Sequence, residues 1–130
     1  MPSISFTFDK SERLCSKKAI ADLFENGRSF YLFPLQVIWT FSENEQAKPA
    51  QVAFSVSKRL FKKAVSRNLI RRRMREAYRL HKHSLYEALE HSGKKITFIL
   101  IFKDKEALPF AAIEKSVVAS LNRLISETGA

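Results

Sequence analysis

A chain of 130 residues, 45% of them hydrophobic, has room for one ordinary domain over residues 1–130 and leaves little for a second core. Lys and Arg number 23 against 13 Asp and Glu, a formal net charge of +10, so the surface suits a polyanionic partner. Cys15 is the single cysteine, which excludes an intramolecular disulfide, and the longest strongly apolar stretch, Ile96 to Phe102, falls far short of the roughly 20 residues a membrane span needs. Met1 to Lys10 alternates polar with apolar residues and builds no secretory core, so a soluble cytoplasmic protein without a membrane partner is expected.

Ser16 to Asn26 has the spacing of a short helix, with Ile20, Leu23 and Phe24 on one face and Gly27 where a left-handed residue would end it. Tyr31 to Phe41, rich in aromatic and β-branched residues, is expected to be a strand. A polar loop from Ser42 to Pro49 and a second, antiparallel strand from Gln51 to Ser57 follow it. Lys63 to about His83 lacks Gly and Pro and reads as a long helix, its apolar side formed by Ile70, Met74, Ala77, Tyr78 and His81. Ile96 to Phe102 is apolar almost throughout, as in a central strand buried on both faces. Pro109 opens a closing amphipathic helix with Phe110, Ile113, Val117, Leu121 and Leu124 in its stripe. The order helix, strands, helix, strand, helix describes an α+β sandwich with three helices.

The charge is confined to one part of this plan. Lys58 to Lys82 holds 11 cations and one anion, Glu76, which leaves 12 of each sign in the rest of the chain. A neutral body with one cationic stripe has a localised electrostatic footprint. On the long helix, Arg67, Asn68, Arg71, Arg72, Arg75 and Arg79 share an arc beside the apolar side, and guanidinium groups offer phosphates paired, permanently charged donors. Asn68 has two readings, a solvated or capping residue and a hydrogen-bonding member of the ridge.

These residues form a long ordered pattern. Ser55-Val56-Ser57-Lys58-Arg59, then Phe61, Ala64-Val65, Arg67-Asn68-Leu69-Ile70-Arg71-Arg72 and Met74-Arg75-Glu76, resembles the signature of the bacterial ribonuclease P protein component. Arg13-Leu14, Ile20, Leu23-Phe24 and Gly27 resemble that family's first helix. The chain departs from the pattern at Leu69, where the family often has a cation. It departs again at Phe61-Lys62, where many members have a single Gly, and at Ile20, where a Phe is frequent.

The resemblance implies a mixed sheet of about four strands in a two-layer sandwich of the kind found in the second domain of ribosomal protein S5, with a left-handed crossover through the Arg-rich helix. It also implies a function: binding the catalytic RNA of ribonuclease P and the single-stranded 5′ leader of precursor tRNA, and assisting Mg²⁺-dependent removal of that leader. In this reading the RNA performs the chemistry and holds most of the Mg²⁺, and the protein has no catalytic residue or metal ligand of its own. Lys58, Arg59, Lys63, Arg67, Asn68, Arg71, Arg72, Arg75 and Arg79 form the RNA-binding ridge; Ile20, Phe24, Trp39 and Ser55 form the leader-binding cleft. For Trp39, whose large apolar area favours burial, a core position competes with a stacking one.

Other classes fit less well. A metal-dependent nuclease needs clustered carboxylates, whereas Asp104 and Glu106 alternate with Lys103 and Lys105 in what reads as a solvated turn. His81, His83 and His91 lack zinc spacing, and Cys15 has no His or Asn constellation assigned to it. A duplex-DNA reader needs side chains that discriminate base edges, and this ridge is almost entirely of the phosphate-contacting type. A basic ribosomal or other structured-RNA-binding protein without a role in cleavage is the remaining alternative.

Overall fold

The structure, a computed structural model, describes residues 7–43, 46 and 48–130. Parts of the Met1–Lys10 stretch and of the Ser42–Pro49 loop therefore lie outside the described residues. The elements run α1 (Lys17–Asn26), β1 (Arg28–Leu32), β2 (Leu35–Phe41), β3 (Ala50–Val56), α2 (Ala64–His81), α3 (His83–Ser92), β4 (Ile96–Phe102) and α4 (Phe110–Thr128), with a short 3-10 turn at Lys10–Glu12 before α1.

The four strands form one mixed sheet in the order β1-β2-β4-β3, β1/β2 and β2/β4 antiparallel and β3/β4 parallel. β4 occupies a central slot and is buried at every position, as its continuous apolar run requires. Two expectations change. The strand expected over Tyr31–Phe41 is a tight hairpin, the chain reversing at Phe33–Pro34 so that β1 pairs with β2. β2 and Gln51–Val56 are antiparallel in direction but do not pair, because β4 lies between them. Alternation specifies which side chains share a face and says nothing of which strand lies alongside.

The described residues form four α-helices where three were expected. α2 ends at His81, and after Lys82 the chain begins α3, whose Leu85 and Leu89 enter the core and whose end is set by Gly93 at φ 70°. α2, α3 and α4 cover one sheet face, packing Ile70, Met74, Tyr78, Leu85, Leu89, Val117 and Leu121 on Val37, Trp39, Val52, Phe98 and Leu100. β3 and β4 are thus joined across this layer by α2 and α3, the βαβ unit that the resemblance implies.

α1 lies on the opposite face, where Leu23 and Ile20 pack with Leu14, Ile38, Ile99, Ile101 and Ala53. Ser16 caps it, its hydroxyl accepting from the Ala19 N–H at 3.2 Å. Gly27 ends it in an extended conformation (φ −72°, ψ 154°), not the left-handed one expected. Its lack of a side chain matters for another reason. A Cβ there would sit 2.4 Å from the Leu23 carbonyl oxygen and 2.7 Å from Ile38 Cγ2, so only glycine lets α1 turn into β1 this close to the sheet.

Candidate nucleic-acid interface

The ridge begins in the turn between β3 and α2. Lys58, Arg59, Lys62 and Lys63 are all exposed there, and at the Phe61-Lys62 departure from the family pattern the Phe61 ring and the Lys62 carbonyl have structural parts. Phe61 is buried against Phe102, ring centroids 6.0 Å apart, and its N–H donates to the Ser57 carbonyl at 3.0 Å. Arg67 closes the same turn, its guanidinium donating to the Phe61 and Lys62 carbonyls at 2.7 and 2.9 Å. Arg67 therefore fixes where the turn cations stand, in addition to its own charge.

Along α2, Ile70, Met74, Ala77 and Tyr78 are fully buried, which turns the adjoining arc outward. Cations at i, i+4 on an isolated helix repel by a few tenths of a kcal/mol per pair. The protein relieves part of this internally: Arg71 donates to Asn68 Oδ1, and Arg79 forms an ion pair with Glu76 at 2.5 Å. Arg79 in turn holds the exposed Glu76 carboxyl below its usual range. Arg73, on another side of the helix, donates to the Leu108 carbonyl at 2.6 Å and ties α2 to the segment before α4. Arg72 and Arg75 are exposed and make no side-chain hydrogen bond or ion pair among the described residues, although the Arg75 charge also helps to hold the Glu76 carboxyl down. With the four turn cations they are the part of the ridge that no side-chain hydrogen bond or ion pair engages among the described residues. The sequence could rank none of these arginines, because pairing is set by which carbonyls and carboxylates the fold brings near.

The sequence-derived cleft residues divide between the two sheet faces. Ala53 and Ser55 of β3 and Ile38 of β2 face α1, the same side as Ile20 and Phe24. Phe24 is 57% exposed and Ser55 half-buried, so both are open to a ligand. Trp39 is not: it lies on the other face, is fully buried, and makes an edge contact with Phe41 at 5.0 Å. Its alternation with Val37 along β2 and its cross-strand pairing with Phe98 assign it to the α2–α4 core, and it drops out of the cleft.

α1 also splits its face into two unlike halves. Lys18, Asp22 and Glu25 border a groove of about 740 Å³ with Thr40, Phe41, Glu43 and Thr97, where three carboxylates oppose one lysine. By helical spacing Ile20 and Phe24 occupy the other flank, toward Gln36, Ile101 and Ser55. A polyanion meets repulsion on the first side and aromatic and polar groups on the second.

Among the described residues no three His, Cys, Asp or Glu side chains come together as a metal-binding group. Asp104 and Glu106 stand in the connection between β4 and α4, and His81 is engaged with Glu114 at 3.0 Å. Among the described residues no helix is long and apolar enough to cross a membrane.

Comparison with known proteins decides the family. The family model described as Ribonuclease P matches residues 8–125. The chain belongs to the ribonuclease P protein component family. A ribonuclease P protein component of Porphyromonas gingivalis is 33% identical over 120 residues, 92% of this chain and 88% of the relative. One from Chlorobaculum tepidum is 43% identical over 82 residues, 61% of this chain and 53% of that protein. Among solved structures, the Staphylococcus aureus RNase P protein matches with a TM-score of 0.71 at 22% identity, over 88% of this chain and 96% of that one. The Thermotoga maritima RNase P protein matches with a TM-score of 0.64 at 19% identity, over 86% and 96%. At those identities the structures show that the fold is shared, and the sequence relatives carry the membership. As a ribonuclease P protein component, the chain is a protein of tRNA processing.

Proposed function

We propose that this chain is the protein subunit of a ribonucleoprotein endonuclease: it binds the catalytic RNA of ribonuclease P through the α2 ridge and receives the 5′ leader of precursor tRNA on the Phe24–Ser55 side of the sheet. The observation that carries the reading is the division of charge. Lys58, Arg59, Lys62 and Lys63 stand exposed in the turn after the end of β3 that bears Ser55, and Arg72 and Arg75 extend the cationic run along α2 without hydrogen bonds or ion pairs of their side chains among the described residues, while carboxylates line the far flank of α1.

Each free arginine offers planar paired donors to a phosphate, and the run of cations suits a structured RNA with closely spaced phosphates. A leader needs no sequence readout; aromatic stacking and a basic rim suffice. The hydrolytic step is assigned to the RNA subunit. Among the described residues Asp104 and Glu106 have no third carboxylate or histidine grouped with them, and they alternate with lysines, so the ion is assigned mainly to RNA.

The test compares binding of precursor and mature tRNA to a bacterial ribonuclease P RNA, with and without this protein. The expected result is that the protein strengthens binding of the leader-bearing RNA at least tenfold more than that of mature tRNA, with Phe24→Ala losing about fivefold or more of that gain. An equal gain for both RNAs would remove the leader from the account and favour a general structured-RNA binder.

A further inference from the structure

Beyond Phe24, two large rings stand exposed at the hairpin of β1 and β2: Tyr31 at 53% on the strand and Phe33 at 61% in its turn. Tyr31 is paired with Gln36, Gln36 with Ile101, and Ile101 with Ser55, so the four form one cross-strand row from edge strand β1 to edge strand β3. Phe30 points into the α4-side core, so Tyr31, its neighbour, faces the α1 side. Lys103 continues β4 by one residue, its N–H donating to the Pro34 carbonyl at 2.9 Å, and it falls on the same face as Ile101 beside the hairpin turn that holds Phe33. Lys103 is exposed.

Scattered surface aromatics are ordinary, and a hairpin tip often carries one. Here the rings end a continuous strip. It starts at the cations of the β3–α2 turn, crosses Ser55, Lys103 and Gln36, and reaches Tyr31 and Phe33 after three strand spacings, about 14 Å. Ile101 is covered by α1, so the open part of the strip runs along the strand ends, between Phe24 and Lys103. The acidic groove lies on the other flank of α1, which leaves this strip as the electrostatically permitted course for a polyanion.

We infer that Tyr31 and Phe33 form an outer stacking platform, on which leader nucleotides farther from the cleavage site rest after passing Phe24 and Ser55. This rests on the function proposed above. The chemistry is that of single-strand binding: base faces on the two rings, Lys103 on the backbone, and the Gln36 amide and Tyr31 hydroxyl as adaptable hydrogen-bonding groups. The ligand is single-stranded RNA of little sequence preference, and the platform makes binding depend on leader length.

The experiment uses the holoenzyme reconstituted from this protein and a bacterial ribonuclease P RNA, with a ladder of precursor tRNAs of increasing leader length. The double variant Tyr31→Ala/Phe33→Ala is expected to bind short-leader precursors and mature tRNA as the unchanged protein does, and to lose about fivefold or more beyond a threshold length. Tyr31→Phe/Phe33→Tyr should restore binding, since both rings are kept. Both residues are exposed, and an unchanged melting temperature will show that the fold is intact. Unaltered long-leader binding in the double variant would overturn the platform while leaving the proposed function standing, provided that Phe24→Ala still weakens binding. An equal loss for mature tRNA, or a self-association of the free protein abolished by the double variant, would overturn it in favour of a contact with the catalytic RNA or with a second copy of this chain.

Discussion

Replacing Arg71, Arg72 and Arg75 together by Ala is expected to weaken binding of a bacterial ribonuclease P RNA by about 100-fold or more at roughly 0.1 M salt, and to flatten its log–log salt dependence by about two to three units. Each lost phosphate contact forfeits counterion release worth roughly 1 kcal/mol under those conditions. The three side chains lie outside the core, and none holds another element in place, so the melting temperature should hold or rise as like-charge repulsion falls. Arg67→Ala should behave differently. That guanidinium closes the turn at Phe61 and Lys62, so its loss disorders the neighbouring cations as well as removing one charge. Titrations over a range of salt separate the two cases. An unchanged slope in the triple variant would contradict the assignment of the ridge.

The largest stability effect is expected at Lys82. Its ammonium is buried between α2 and α3, where it pairs with Glu12 Oε1 and donates to the Thr7 carbonyl. Tyr86 donates to the same carboxylate oxygen at 2.6 Å, and the Asp9 N–H donates to the other oxygen at 2.6 Å. These bonds fasten the segment before α1 across the outer edge of β3. Phe8 meets Phe54 and Tyr78 edge-on, Leu14 N–H donates to the Val52 carbonyl, and the Gln51 amide donates to the Ser11 carbonyl. Lys82→Met leaves a buried carboxylate without its cation and should cost about 3–5 kcal/mol, read from urea denaturation. A change within about 0.5 kcal/mol would contradict this account of the strap.

The same carboxylate makes stability depend on pH. Burial pushes Glu12 up, but the Lys82, Tyr86 and Asp9 donors outweigh it and hold the carboxyl below its ordinary 4.5. A group depressed on folding contributes fully above its unfolded value and loses that contribution as pH falls through the folded one. Stability is therefore expected to fall as pH drops below about 4.5, and Glu12→Gln should remove that part of the acid limb at the cost of lower stability at neutral pH. An acid limb identical in the variant would assign the acid sensitivity to other carboxylates.

How much of this was legible beforehand depended on whether a single residue or its neighbours decided the outcome. The ridge was legible because 11 cations against one anion in Lys58–Lys82 is a property of composition and helical period alone. The central position of β4 was legible from its seven apolar positions, all of them buried. The division of labour among the arginines was not. Arg67 turns to two carbonyls, Arg79 to Glu76 and Arg73 to Leu108, while Arg72 and Arg75 make no side-chain hydrogen bond or ion pair among the described residues, and nothing in the order of residues distinguishes them. Trp39 illustrates the same limit: its side of β2 could be read from alternation, but which side faced the thick helical layer depended on α2 and α4. The third helix was missed at Lys82, where the helical pattern is interrupted for one residue and resumes with Leu85 and Leu89. Tyr31 was hidden by the hairpin. A run of aromatic and β-branched residues read as one strand conceals the reversal at Phe33–Pro34 that carries Tyr31 onto the edge strand.

The central claim, that this protein serves an RNA enzyme and does not itself cleave, is tested most directly by cleavage of a precursor tRNA at low, near-physiological Mg²⁺. The protein alone, a bacterial ribonuclease P RNA alone, and the two together are compared. Cleavage at the mature 5′ end only in the mixture, lost in the Arg71/Arg72/Arg75 triple variant, is the predicted result. Cleavage by the repurified protein alone, abolished by Asp104→Asn or Glu106→Gln, would contradict it and make the chain a nuclease in its own right.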